Sequence, residues 1–73
     1  MRVVDVRDDI TRGREPFDRI MRAVADLPAG EEFVIINVFE PMPLYGVLAQ
    51  QGFTHETGRT QDGAWQVTFR RRA

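Results

Sequence analysis

Glu32-Phe33-Val34-Ile35-Ile36-Asn37-Val38-Phe39 is the stretch on which the fold turns. Its residues are mostly β-branched or aromatic, and it is apolar on both alternating sets of positions. That pattern belongs to a central strand, flanked by other strands and covered on its faces. Asn37 interrupts it near its C-terminal end. Beyond it, Glu40-Pro41-Met42-Pro43 is a rigid turn that fits neither a regular helix nor a central strand.

Toward the N-terminus, Phe17, Ile20, Met21, Val24 and Leu27 fall at i, i+3, i+4, i+7 and i+10 and form one helical stripe. Pro16 suits the first helical position, where a missing N–H costs nothing. Pro28-Ala29-Gly30 ends the helix. Arg7 to Glu15 reads as a polar connection, and Val3-Val4-Asp5-Val6 as a first strand. Toward the C-terminus, Leu44, Tyr45, Val47 and Leu48 predict a second, shorter helix, with Gly52 as its C-terminal cap. Phe53 to Arg59 reads as a strand, and Asp62-Gly63 as a hairpin turn. In Ala64 to Arg70, Trp65, Val67 and Phe69 alternate with Gln66, Thr68 and Arg70. Arg70-Arg71-Arg72 reads as a solvated tail.

The order β-α-β-α-β-β predicts an α/β (α+β) two-layer sandwich: a four-stranded mixed sheet with two helices on one face, as one domain over 1–73. Right-handed crossovers that progress one way across a sheet place both helices on the same side. The other sheet face is then open. Since both sets of residues in the central run are apolar, uncovered hydrophobic surface is expected there. A protein partner or a homodimer through that face follows from it.

The chain has 73 residues, 42% of them hydrophobic and 29% charged, and no cysteine. Disulfides and thiolate chemistry are excluded. The ten basic residues are all arginine, and the net charge is −1. That balance argues against nucleic acid as a partner. No apolar run reaches membrane-spanning length, and the acid at Asp5 comes too early for a signal-peptide core. A cytoplasmic protein is the expected class. No Ser-His-Asp order, phosphate loop or dinucleotide fingerprint is present, so no enzyme and no cofactor is expected.

Ligand-binding candidates lie at two places. At the mouth of the first long helix, Arg7, Arg12, Gly13, Arg14 and Glu15 surround backbone N–H groups able to hold a small anion or a partner's carboxylate. The bland alternative pairs these arginines with Asp5, Asp8, Asp9 and Glu15 on a solvated loop. At the C-terminal end of the central run, where ligands gather in open α/β sheets, Arg7, Asn37 and Glu40 either converge, or Asn37 caps the turn while Arg7 pairs with Glu40. His55, the single histidine, reads as a structural or surface residue, and Asp8-Asp9 is too unspecific to mark a metal site.

Asp5-Val6-Arg7, Glu15-Pro16, Leu27-Pro28-Ala29-Gly30-Glu31 and Val34-Ile35-Ile36-Asn37 resemble the TusA/SirA-like superfamily. Glu40-Pro41-Met42-Pro43-Leu44-Tyr45 and Gln51-Gly52-Phe53 resemble a bacterial branch of it known only as a domain of unknown function. The resemblance covers nearly the whole chain and implies the same fold. The superfamily's sulfur carriers hold a persulfide on the cysteine of a Cys-Pro-x-Pro motif at the start of the first helix. Matching on Glu15-Pro16 puts Gly13 at that cysteine and Arg14 at the first proline; Pro16 alone is kept, so sulfur relay is not implied. The branch often shows Asn-Asp-His-Asp-Pro where this chain has Asn37-Val38-Phe39-Glu40-Pro41, with Phe39 at the histidine. Some relatives are fused to hemerythrin-like or other redox-associated domains, which implies an accessory role near respiratory or nitrogen-oxide metabolism.

The expectation is therefore a non-enzymatic accessory or protein-interaction domain that works through the helix mouth, the Glu40–Tyr45 turn and the open sheet face. The alternative is a small-anion or metal-binding regulatory domain using Arg7, Asn37, Glu40 and His55.

Overall fold

The computed structural model describes residues 2–72. Strand β1 (Arg2–Asp5) leads into a short helix α1 (Arg7–Thr11) and then helix α2 (Phe17–Ala25). Strand β2 (Glu32–Asn37), helix α3 (Met42–Gln50), strand β3 (Phe53–Arg59) and strand β4 (Trp65–Arg71) follow. The sheet order is β1-β2-β4-β3. β1 runs parallel to β2, and β4 is antiparallel to both β2 and β3. The mixed four-stranded sheet agrees with the reading above, and β2, the stretch that decides the fold, lies inside it.

The core forms between the helices and one sheet face. Ile20 and Val24 of α2 and Leu44 and Leu48 of α3 share one buried cluster with Val4, Phe33, Ile35, Phe53, Val67 and Phe69. The two longer helices therefore cover the same face. At its centre Phe33 is fully buried. Its ring stacks on Phe69 at 5.1 Å between centroids and meets the edge of Phe53 at 5.5 Å. Such pairs add to the burial energy of the rings themselves.

Four local details depart from the sequence reading. The connection after β1 contains α1, a helix of five residues, too short to leave a periodic apolar pattern. Asp8 and Asp9 lie in its first turn, where the helix dipole favours acids. Pro16 stands at the N-cap of α2, one residue before the expected position. β2 stops at Asn37 although the apolar run continues. The Asn37 Oδ1 accepts the Val38 N–H at 2.7 Å, and a side chain that takes a backbone donor in this way competes with the ladder. Val38 and Phe39 turn out to solvent as a result, 45% and 48% exposed. Finally, Arg70 and Arg71 are no tail: they end β4, where they pair with Glu32 and Phe53, and Arg72 N–H donates to the Gly52 carbonyl.

The Asp62-Gly63 turn forms as expected. Gly63 takes φ 87, a conformation that costs little only for glycine. The Thr60 Oγ1 accepts the Ala64 N–H and closes the loop.

The open face is less apolar than the alternation suggests. Val34 is only 4% exposed there, and it sits among Glu32, Thr54, Glu56, Thr68 and Arg70. Glu32 and Arg70 form an ion pair across the face. Among the described residues the exposed large apolar side chains are Val3, Phe17, Val38, Phe39 and Met42, and only Val3 belongs to the sheet's open side. The others lie at the N-terminus of α2, in the connection from β2 to α3, and at the first residue of α3.

Candidate functional site

The parallel register of β1 and β2 brings their C-terminal ends side by side, with Asp5 opposite Ile36. Both chains then turn into helices, α1 from Arg7 and α3 from Met42. Between the starts of α2 and α3 a cleft of about 550 Å³ opens, lined by Ile10, Glu15, Pro16, Phe17, Ile20, Asn37, Phe39, Pro41, Pro43 and Leu44. The helix mouth and the Glu40–Tyr45 turn, separate in the sequence, are thus two walls of one site. Its lining is almost wholly apolar, and three of its residues are prolines whose fixed φ holds the walls in place. Asn37, 3% exposed, is its buried polar residue. A concave apolar site with few polar groups is the usual form of a binding pocket.

The arginines stand outside this cleft. Arg7 closes on Asp5 with both Nε and Nη2, at 2.7 Å for the shortest contact, and reaches Asp62 of the hairpin turn at 3.0 Å. Arg7 therefore ties the end of β1 to the β3–β4 turn, and it joins neither Asn37 nor Glu40. Arg12 pairs with Asp8 at 3.2 Å, and Arg14 with Asp8 at 3.4 Å and Asp9 at 3.6 Å. Arg19 holds Asp9 at 2.9 Å. Gly13 takes φ 73 in the link between α1 and α2. Glu15 turns back on its own helix: its Oε1 accepts the Phe17 N–H at 2.9 Å. The N-terminus of α2 already carries a carboxylate, so an added anion would meet like charge there.

The hydrogen bonds from Arg7 hold the Asp5 carboxyl below its ordinary value of 3.8, against a smaller opposing effect of burial. A carboxylate with a lowered folded pKa stabilises the fold above its unfolded value and loses that contribution as pH falls through the folded value. Asp5→Asn is therefore expected to be less stable than the parent at neutral pH, with the difference vanishing well below pH 3.8. Urea midpoints at the two pH values measure it. Equal differences at both would show that the pairing with Arg7 contributes nothing through charge.

Glu40 belongs to a second arrangement, on the far side of α3. Its Oε2 accepts the Tyr45 hydroxyl at 3.0 Å, and the same hydroxyl lies 2.7 Å from the Thr57 Oγ1. His55 stacks flat on the Tyr45 ring, with centroids 3.9 Å apart. Burial pushes the Tyr45 hydroxyl above its usual pKa. Here His55 packs α3 against β3. Among the described residues no three His, Cys, Asp or Glu side chains gather as metal ligands would, and no helix is long and apolar enough to cross a membrane.

Sequence reasoning singled out Glu15, Asn37 and the Glu40–Tyr45 turn, which holds Pro41, Pro43 and Leu44, but missed Ile10, Phe17, Ile20 and Phe39 as lining of the site. Apolar residues carry no chemical signature. The signal that could have found two of them is the placing of Phe17 directly after Pro16 and of Phe39 two residues before Pro41, at two element starts.

Fold and site together define a two-layer α+β domain with an apolar cleft at the C-terminal ends of its parallel strands. The chain belongs to the family described as Uncharacterized conserved protein (DUF2249), which it matches over residues 3–71. No curated protein and no solved structure matches it.

Proposed function

We propose that this chain is a cytoplasmic protein-interaction domain without catalysis of its own, and that a partner docks in the cleft between the starts of α2 and α3. The observation that carries this reading is the apolar lining of the cleft, with Phe17 39% and Phe39 48% exposed at its edge. Solvent-exposed aromatic rings against a rigid, concave wall are the usual anchors of a protein interface. The resemblance to the TusA/SirA-like sulfur carriers supports the same place. Gly13, which matches the position of their cysteine, lies two residues before Glu15 of the cleft wall, so recognition would persist where sulfur chemistry is lost. An accessory role in redox or respiratory metabolism belongs to that resemblance alone.

The small-anion alternative is weaker, because Arg12, Arg14 and Arg19 are paired with Asp8 and Asp9 and Glu15 covers the helix end. A homodimer through the open sheet face is weaker too, since Val3 is its exposed apolar residue.

The test is site-specific photo-crosslinking in the cells of origin, with a benzophenone side chain at position 39, 3 or 22. The expected result is a discrete adduct from position 39 that positions 3 and 22 do not give. An adduct from position 3 alone would move the interface to the open face. No adduct at 39 above that at 22 would sink the proposal.

A further inference from the structure

The cleft presents one side-chain donor that meets solvent and no protein acceptor. The Asn37 side chain is 3% exposed, and its orientation is set, because Oδ1 must face the Val38 N–H that it accepts at 2.7 Å. The Nδ2 is thereby turned the other way. It meets no acceptor among the described residues, yet it is not sealed from solvent, and Asn37 lines the cleft. Covering this amide without a partner would be costly, so an occupant of the cleft gains by bringing an acceptor. The charge of the site is equally one-sided. Glu15 is the ionisable residue of the lining. Arg14 and Arg19, which flank Glu15 and Phe17 in the sequence, are committed to Asp8 and Asp9.

We infer that the cleft takes an extended segment of a partner protein that carries an apolar side chain beside a Lys or Arg, with a backbone carbonyl accepting from the Asn37 Nδ2. This rests on the docking reading above and adds the chemistry of the occupant. The apolar side chain fills the wall formed by Ile10, Phe17, Ile20, Phe39 and Leu44. The cation sits against Glu15, and an acidic segment is repelled there, which selects among partners as much as it attracts one. The proline walls need no rearrangement on binding, so little ordering opposes it.

The test is selection of random nonapeptides displayed on phage against the immobilised full chain, followed by NMR titration with one synthesised winner. Enriched peptides are expected to carry an aromatic or aliphatic residue with Lys or Arg within two positions. Changing that cation to Glu is expected to weaken binding about tenfold or more, and Glu15→Gln about threefold to tenfold. The glutamine keeps the acceptor that the Phe17 N–H uses, so the fold is spared. Asn37 is the chain's single asparagine, and its side-chain amide protons are expected to move downfield while those of the glutamines stay. Acids enriched as often as bases, or an unmoved Asn37 amide, would overturn the inference and leave the docking site standing. No enrichment, or winners whose binding Phe39→Ser leaves unchanged, would overturn both.

Discussion

Phe33→Ala is expected to remove about 3–5 kcal/mol of stability, the range for truncating a buried aromatic residue. A domain of 73 residues has roughly 4–10 kcal/mol to lose. Phe33 is fully buried on the central strand and touches the rings of both Phe53 and Phe69. Removing it leaves a void between two sheet neighbours and the helix layer, and no disulfide limits the damage. Each kcal/mol is worth about 4–8 °C at this size, so the variant melts far below the parent or is unfolded at room temperature. Val3→Ala, on the open face and 57% exposed, is expected to stay within about 0.5 kcal/mol. Thermal and urea unfolding followed by circular dichroism measure both. A Phe33→Ala protein melting within about 5 °C of the parent would show that the aromatic cluster is not the centre of the core.

Phe39→Ser is expected to do the reverse. Phe39 is 48% exposed and lies outside the buried cluster, so its loss should change stability by no more than about 0.5 kcal/mol. Yet it forms part of the cleft wall, and an exposed aromatic that becomes buried in a complex is the kind of residue whose truncation costs about 2 kcal/mol or more of binding. Affinity for a peptide selected on the parent is therefore expected to fall about thirtyfold or further. Calorimetric titration gives the affinity, and the same sample's urea midpoint confirms that the fold is intact. Val3→Ser serves as the surface control, with unchanged affinity. If Phe39→Ser bound like the parent, the cleft would not be the docking site.

The contrast between these two phenylalanines shows where sequence reading succeeds. Phe33 alternates with Val34 in a strand and lies opposite Phe69, another member of an alternating run. Period and residue type are enough to place it in a core. Phe39 belongs to the same apolar stretch, and by period alone it is another strand residue. What removes it from the sheet is the single hydrogen bond from the Val38 N–H to the Asn37 side chain, and no periodicity reports such a bond. The helix α1 escaped for a related reason: five residues with one apolar side chain, Ile10, carry too little pattern. The arginine tail was misread because three adjacent charges look solvated, although Glu32 and the Phe53 ring give Arg70 and Arg71 partners on neighbouring strands.

By itself the sequence determined the order of the four strands and the two longer helices, the central strand, the helix stripe of Ile20 and Val24, the hairpin at Asp62-Gly63, and the absence of thiol chemistry. These depend on local spacing and residue type, which survive in one dimension. The tertiary structure alone decided which way Arg7 points and what the helix mouth faces. Arg7 lies 55 positions from Asp62, the partner that helps hold it. Phe17 and Pro43 meet across one cleft only because parallel pairing sets two strand ends side by side. Contacts between residues far apart in the chain come from packing of whole elements, and packing leaves no periodic trace in the sequence that produces it.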